Sequence, residues 1–164
     1  MTLSANARIA NLNEAMIAFL DALGEGAFSY FHIVRTAYPG VLGTTWTELT
    51  DHGWLRDENM NVVWYQFTPF GYVQALKVSG RSKEQQFLKG LGNICKVLKD
   101  ALQNRSDFAL VVFQDLVRDS GVSEAFARNA IDADLIWHVL GRIGAQWEGE
   151  HLLKVPPNFG LLPI

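Results

Sequence analysis

The sequence is poor in cysteine and in long apolar runs, and its acidic and basic side chains nearly balance. Its one cysteine, Cys95, excludes an internal disulfide framework and every metal site built from several cysteines. The longest apolar run, residues 108–113, is far shorter than the roughly 18 residues of a membrane-spanning helix. The N-terminus lacks the basic-then-apolar pattern of a secretion signal. We therefore expect a cytoplasmic protein that makes no membrane contact.

The composition itself is that of a globular chain. The 164 residues are 49% hydrophobic and carry 14 basic against 17 acidic side chains, a net charge of −3. Such a balance differs from that of disordered or fibrous proteins. The length allows one compact domain or two small ones, because domains run from about 50 to 200 residues.

The first half combines helical patterns with one hairpin pattern. A β-hairpin is predicted where two apolar segments, residues 54–56 and 62–67, flank a polar turn. Thr68, followed by a proline, predicts the N-cap of the next helix. Apolar residues at three- and four-residue intervals, or aromatic-rich apolar segments, predict helices over residues 6–23, 28–38, 42–52 and 68–77.

The second half repeats this order. A capping box at Ser82 predicts the start of a long helix, and residues 108–113 fit either a short strand or the start of a helix. Further helices are predicted to about residue 103, over 112–119 and from Ser123 to about 140, before a hairpin over 144–147 and 151–155. The sequence thus predicts an α+β, mostly helical fold with one module over residues 1–80 and another over 81–164.

Short motifs in both halves resemble the winged-helix family, in which a helix-turn-helix precedes a β-hairpin wing. Residues 49–55 resemble the end of a recognition helix leading into a wing. Residues 65–72, with Ala75 and Leu76 behind them, resemble the L-T-P-x-G strand-to-helix exit common in bacterial members. Residues 115–123 resemble the turn of a helix-turn-helix, with Gly121 where the chain reverses, and residues 126–131 follow as a recognition helix would. The resemblance implies tandem winged helices, a fold of DNA-binding regulators and protein-binding adaptors alike.

The distribution of charge argues against the usual DNA contact. Residues 1–80 hold 4 basic and 7 acidic side chains, residues 81–106 hold 6 and 2, and residues 107–164 hold 4 and 8. A winged helix that binds DNA needs cations on its recognition helix and wing, because phosphate contacts supply most of the nonspecific affinity. The first predicted recognition helix has no Lys or Arg, and both predicted wing tips are acidic, with Asp57, Glu58, Glu148 and Glu150.

A few cations remain as candidate nucleic-acid contacts. Arg and Asn side chains can bond base edges and phosphates, although surface arginines are more often simply solvated. Lysines opposite the apolar side of a helix are likewise typical of a solvated face. The candidates are Arg128, Asn129, Arg142, Lys89, Lys96 and Lys99.

No pattern in the sequence indicates catalysis. The four histidines are scattered, and there is no HExxH motif, phosphate-binding loop or nucleophile elbow. Cys95 lies on the apolar side of the long helix, which favours a buried structural thiol over a nucleophile. We expect no catalytic site, no metal and no cofactor.

The first interpretation is a non-enzymatic regulatory or adaptor protein that binds a protein partner or itself through two winged-helix modules. In this it resembles adaptor subunits such as the bacterial condensin accessory proteins. The alternative is a winged-helix transcriptional regulator that binds DNA. The apolar tail, residues 159–164, is unusual for a free terminus and is expected to dock on the body of the protein or on a partner.

Overall fold

The computed structural model describes residues 11–58 and 63–163 and shows an α+β protein. Helices account for 54% of the described residues, and the strands form two small antiparallel sheets. The α+β, mostly helical class predicted from the sequence is confirmed. The chain divides into two compact units, the first ending at Glu84 and the second beginning at Gln85.

The first unit surrounds one three-stranded sheet. The strands follow the order β1-β3-β2, with Ile33 opposite Tyr65 and Leu55 opposite Phe67. The elements are α1 (Leu12–Leu23), a 3-10 helix (Phe28–Tyr30), β1 (Ile33–Val34), a second 3-10 helix (Arg35–Ala37), α2 (Gly43–Asp51), β2 (Leu55–Asp57), β3 (Trp64–Phe67) and α3 (Pro69–Val78).

Most predicted elements of the first unit are confirmed, but the helix predicted over residues 28–38 is wrong. That segment forms two 3-10 turns around β1, because the edge of β3 offers it backbone hydrogen bonds. The Arg35 N–H donates to the Val63 carbonyl at 2.8 Å, and the buried Gln66 amide donates to the carbonyl of Ser29. The predicted start of the first helix, residues 6–10, lies outside the described residues; α1 is capped by Asn11.

Stacked aromatic rings fill the core of the first unit. The Trp46 ring, only 1% exposed, stacks on Tyr65 at 4.7 Å and on Phe19 at 5.3 Å between ring centroids. Phe28 stacks on Tyr72 of α3 at 5.1 Å. Such pairs add about 0.5–1.5 kcal/mol each beyond the burial of their surface, so the first unit is anchored by its aromatic residues.

The exit from β3 into α3 depends on a close backbone approach. As predicted, Thr68 caps α3: its hydroxyl accepts from the Gly71 N–H at 3.0 Å, and its own N–H donates to the Trp54 carbonyl at 3.1 Å. A Cβ on Gly71 would lie 1.8 Å from the Trp54 oxygen. Glycine is therefore required at this position for the helix to begin against the hairpin.

The second unit has a sheet of the same connectivity. Its strand order is β4-β6-β5, so in each unit the third strand lies between the first two. The elements are α4 (Arg81–Ala101), whose first turn contains the boundary between the units, β4 (Ala109–Val112), α5 (Phe113–Ser120), α6 (Glu124–Asp132), α7 (Leu135–Leu140), β5 (Gln146–Trp147) and β6 (Leu152–Val155).

Two helix predictions in the second unit were wrong. Ser82 is not the cap of α4, since the helix already includes Arg81. The helix predicted from Ser123 to about residue 140 is two helices: Ser123 does cap α6, but Asp134 takes a left-handed φ of 46° and α7 begins after it. Aspartate tolerates this conformation better than most residues. The break places Leu135, the first residue of α7, in the core.

The C-terminal tail docks on the second unit itself. Phe159 is buried, and the backbone of the tail pairs with Ile143 through the Gly160 N–H (2.8 Å) and the Leu161 carbonyl (3.0 Å). Leu161 and Leu162 remain exposed. The expectation that the tail docks is confirmed, and its docking site lies within the same chain.

Candidate interaction surfaces

The helix that would read DNA in the first unit carries no cation. The exposed side chains of α2 are hydroxyl or acidic, including Thr47, Glu48 and Asp51. In the hairpin beside it, Arg56 pairs with Glu58 at 3.0 Å, and residues 59–62 of the predicted wing tip lie outside the described residues. The described residues of α2 and of the hairpin thus include no cation without an acidic partner, and Arg35, the cation beside α2, has its guanidinium 5.9 Å from the centre of the Trp46 ring.

In the second unit, the candidate DNA contacts Arg128 and Asn129 are partly exposed and buried, respectively. The Arg128 guanidinium lies 5.0 Å from the centre of the Phe113 ring and 5.4 Å from that of Trp147. It also approaches Glu124 at 3.7 Å, and its side chain is 26% exposed. Asn129 is 2% exposed. The Asn129 side chain is buried, whereas the partly exposed Arg128 contacts two rings, which stabilises the packing of α6.

The β5–β6 hairpin, the predicted wing of the second unit, is acidic. Its turn between β5 and β6 exposes Glu148 and Glu150, with His151 at 3.9 Å from the Glu150 carboxylate. The adjacent Trp147 ring donates from Nε1 to the Asp132 carboxylate at 2.8 Å, which joins the hairpin to the end of α6. Negative charge at this tip would face the phosphate backbone in the usual docking of a wing.

The remaining candidates lie on exposed surface. Lys89, Lys96 and Lys99 are exposed on α4, and in the described part of the chain no carboxylate lies within salt-bridge distance of them. Lys89 and Lys96 are two helical turns apart and share one face of α4. We call these three residues the lysine stripe. Arg142 is exposed after α7, away from any helix face.

A different surface of the second unit is apolar. Leu110 (51% exposed) and Val112 (43% exposed) on β4 lie on the outer face of the sheet, and the register places Leu152 opposite Val112. Phe108, just before β4, is also exposed, with the Lys154 ammonium 4.6 Å from its ring centre. The outer face of an antiparallel sheet is normally polar. We call Phe108, Leu110, Val112 and Leu152 the apolar sheet face.

The sequence interpretation missed this surface, although a signal was present. A half-buried strand alternates apolar and polar residues, whereas residues 108–113 are apolar throughout. If this run forms a strand, its successive side chains point to opposite faces of the sheet, so both faces receive apolar side chains. The uninterrupted run therefore signals an apolar outer face, but only after the choice between strand and helix is made.

The open edge of the same sheet is β4. The register and the bond from the Phe113 N–H to the His151 carbonyl (2.8 Å) show that Ala109, Val111 and Phe113 hydrogen-bond to the β6 side. The N–H and C=O of Leu110 and the N–H of Val112 therefore point to the open edge. Edge strands usually carry a charged residue or a proline that prevents pairing, and β4 has neither.

Other chemistry is sparse in the described residues. No group of His, Cys, Asp and Glu within them could hold a metal ion, and no helix there is long and apolar enough to cross a membrane. Cys95 is partly buried on α4, and this burial raises the pKa of its thiol. Its environment makes Cys95 less reactive than a free thiol.

Comparison with protein-family models, with curated proteins and with solved structures finds no match to this chain.

Proposed function

We propose that the protein is a non-enzymatic adaptor built of two winged-helix modules and that it acts by contacting protein rather than DNA. The fold assignment is supported by the connectivity of the two units. Each runs from a helix through a short strand and further helical segments to a hairpin, with the hairpin's second strand in the middle of the sheet; these segments are a 3-10 helix and α2 in the first unit and α5, α6 and α7 in the second. This is the order expected of a helix-turn-helix followed by a wing.

One observation carries the choice of protein over DNA: neither candidate recognition helix presents a free cation. α2 has no Lys or Arg, and in α6 the guanidinium of Arg128 is occupied by two rings and a carboxylate. Each phosphate contact adds affinity by releasing counterions. A surface with no such contact, beside an acidic wing tip, has little affinity for DNA.

The apolar sheet face supports a protein partner. Leu110, Val112 and Leu152 are apolar where a solvated sheet would be polar. Apolar surface of this kind typically marks a protein–protein contact. The second unit thus combines a poor surface for phosphate with a suitable surface for protein.

The alternative, a DNA-binding transcriptional regulator, is favoured by the lysine stripe. Its three lysines lie in residues 81–106, the part of the chain with 6 basic and 2 acidic residues. DNA bound there would lie along α4 and not at a recognition helix. Such binding would depend on charge alone and would weaken steeply with salt.

A fluorescence-anisotropy titration with a generic DNA duplex, at about 50 mM and about 150 mM salt, separates the two functions. We expect no saturable binding at either concentration. The matched variant replaces all three lysines of the stripe with glutamine. Saturable, salt-sensitive binding that this variant loses would overturn the adaptor proposal in favour of the DNA-binding alternative.

A further inference from the structure

We propose that the open edge of β4 pairs with β4 of a second copy of this chain, so that two sheets join into one continuous antiparallel sheet. The inference rests on the proposed protein-binding function and names the partner of the apolar sheet face. Its basis is the juxtaposition of unpaired backbone groups and apolar side chains on one short strand.

The strand is self-complementary. When two β4 strands pair antiparallel about a twofold axis at Leu110, the N–H and C=O of Leu110 bond to those of its symmetry mate. The Val112 N–H then donates to the Phe108 carbonyl of the second copy, which already accepts from the Arg105 guanidinium of its own chain at 3.4 Å and has a second lone pair for this bond. Side chains that lie opposite each other share a face, so Leu110 meets Leu110 and Val112 meets Phe108. Each exposed apolar side chain of β4 thus gains an apolar neighbour.

Charge selects pairing at the edge over packing of the two faces. Lys154 lies opposite Leu110 on the same face of the sheet, and face-to-face packing would bury it beside its symmetry mate, which is costly. Edge pairing leaves Lys154 in solvent. The two ammonium groups are then three strand spacings apart, or about 14 Å, beyond the screening length at physiological salt.

The area of this contact sets its strength. Two short strands joined by four hydrogen bonds, with their side chains, bury on the order of 300 Å² per copy. A stable complex buries roughly 800 Å² per partner. We therefore expect a weak dimer with a dissociation constant on the order of 0.1 mM. The protein should be a monomer when dilute and a dimer when concentrated.

Sedimentation velocity from about 10 µM to about 1 mM tests the pairing. We expect a reversible shift from monomer to dimer, and at least about a tenfold weaker association in Leu110→Lys, because a lysine blocks an open edge. Leu162→Lys is the matched control: Leu162 is also an exposed leucine, 65% exposed, and should leave association unchanged. Thermal unfolding of both variants checks that they fold.

Cross-linking tests the register. In a Cys95→Ser background, mild oxidation should join two copies of the Leu110→Cys variant by a disulfide. Residues that lie opposite each other on neighbouring antiparallel strands are close enough for this bond. Leu162→Cys should cross-link far more slowly under the same conditions.

The outcomes separate the two proposals. A protein that stays monomeric at about 1 mM, or a dimer that Leu110→Lys leaves intact, overturns the β4 pairing. If that monomer also binds no DNA, the adaptor proposal stands without it. A dimer that binds DNA in a salt-sensitive way overturns the adaptor function but leaves the pairing in place.

Discussion

Replacing Gly71 with alanine should strongly destabilise the first unit. A Cβ at this position would lie 1.8 Å from the oxygen, 2.6 Å from the carbonyl carbon and 2.9 Å from the Cα of Trp54. Ordinary contact needs a retreat of about 1.5 Å, and all three atoms belong to the backbone of the hairpin, which cannot rotate away as a side chain can. That retreat would also break the hydrogen bond from the Thr68 N–H to the Trp54 carbonyl.

The size of the effect follows from these parts. Overpacking costs about 1–3 kcal/mol and the lost hydrogen bond about 1 kcal/mol, while alanine regains up to about 1 kcal/mol of helix propensity. We expect a net loss of about 2 kcal/mol in the free energy of unfolding. For a unit of this size, that lowers the melting temperature by roughly 8–16 °C.

The matched control is Gly92→Ala in the middle of α4, where a Cβ would meet open space. There only the higher helix propensity of alanine changes the stability, so the free energy of unfolding should rise by up to about 1 kcal/mol. Calorimetry and urea unfolding followed by circular dichroism measure both changes. A Gly71→Ala protein as stable as the parent chain would refute the claim that α3 begins against the Trp54 carbonyl.

Further predictions concern the interior of each unit. Arg128→Ala should lower the free energy of unfolding by about 2 kcal/mol, because the contacts of Arg128 with two aromatic rings are lost. Its DNA affinity in the anisotropy assay should not change. A variant of unchanged stability and altered DNA binding would contradict the structural role of Arg128. Gln66→Leu should cost about 1–3 kcal/mol in urea unfolding, because it removes the amide that holds the Ser29 carbonyl, and unchanged unfolding would show that this bond is dispensable. Deleting residues 159–164 should cost at least about 3 kcal/mol, since the buried Phe159 ring leaves the core, whereas an unaltered melting temperature would exclude docking of the tail. Iodoacetamide should modify Cys95 more slowly than an unfolded control in urea, because burial raises the pKa of the thiol and lowers the thiolate fraction at a given pH; equal rates of modification would show that the thiol is exposed. Since the pKa of this thiol is higher in the folded than in the unfolded protein, the free energy of unfolding should fall as pH rises from the unfolded pKa to the folded one.

The Arg128 prediction connects stability with function. An arginine that contacts DNA is usually solvated in the free protein, so its removal changes affinity and leaves stability nearly unchanged. Arg128 lies against Phe113 and Trp147 in the free protein. Its removal should therefore have the opposite effect, which distinguishes a structural cation from a recognition residue in one pair of measurements.

Local signals in the sequence were sufficient where neighbouring residues decide the structure. Thr68 and Ser123 cap their helices as predicted, because a side-chain oxygen reaches an N–H only three residues away. Both hairpins also form where apolar segments flank a polar turn. The α+β class and the similar order of elements in the two halves followed from these local features.

Distant partners decided the rest. The segment over residues 28–38 has the apolar content of a helix, but β3 provides it with a strand partner. Arg128 and Asn129 are polar residues that a helix could expose, but Asn129 is buried and Arg128 contacts the Trp147 ring of the β5–β6 hairpin, which is distant in the sequence.

The apolar sheet face shows the same division. The sequence by itself determined that residues 108–113 are apolar, and hence that any strand there would be apolar on both sides. The tertiary structure decided that the run is a strand, that β6 covers one of its edges and that Leu110 faces the other. Burial and hydrogen-bond pairing depend on residues far apart in the chain, whereas periodicity and capping depend on neighbours, so only the latter can be seen in the sequence.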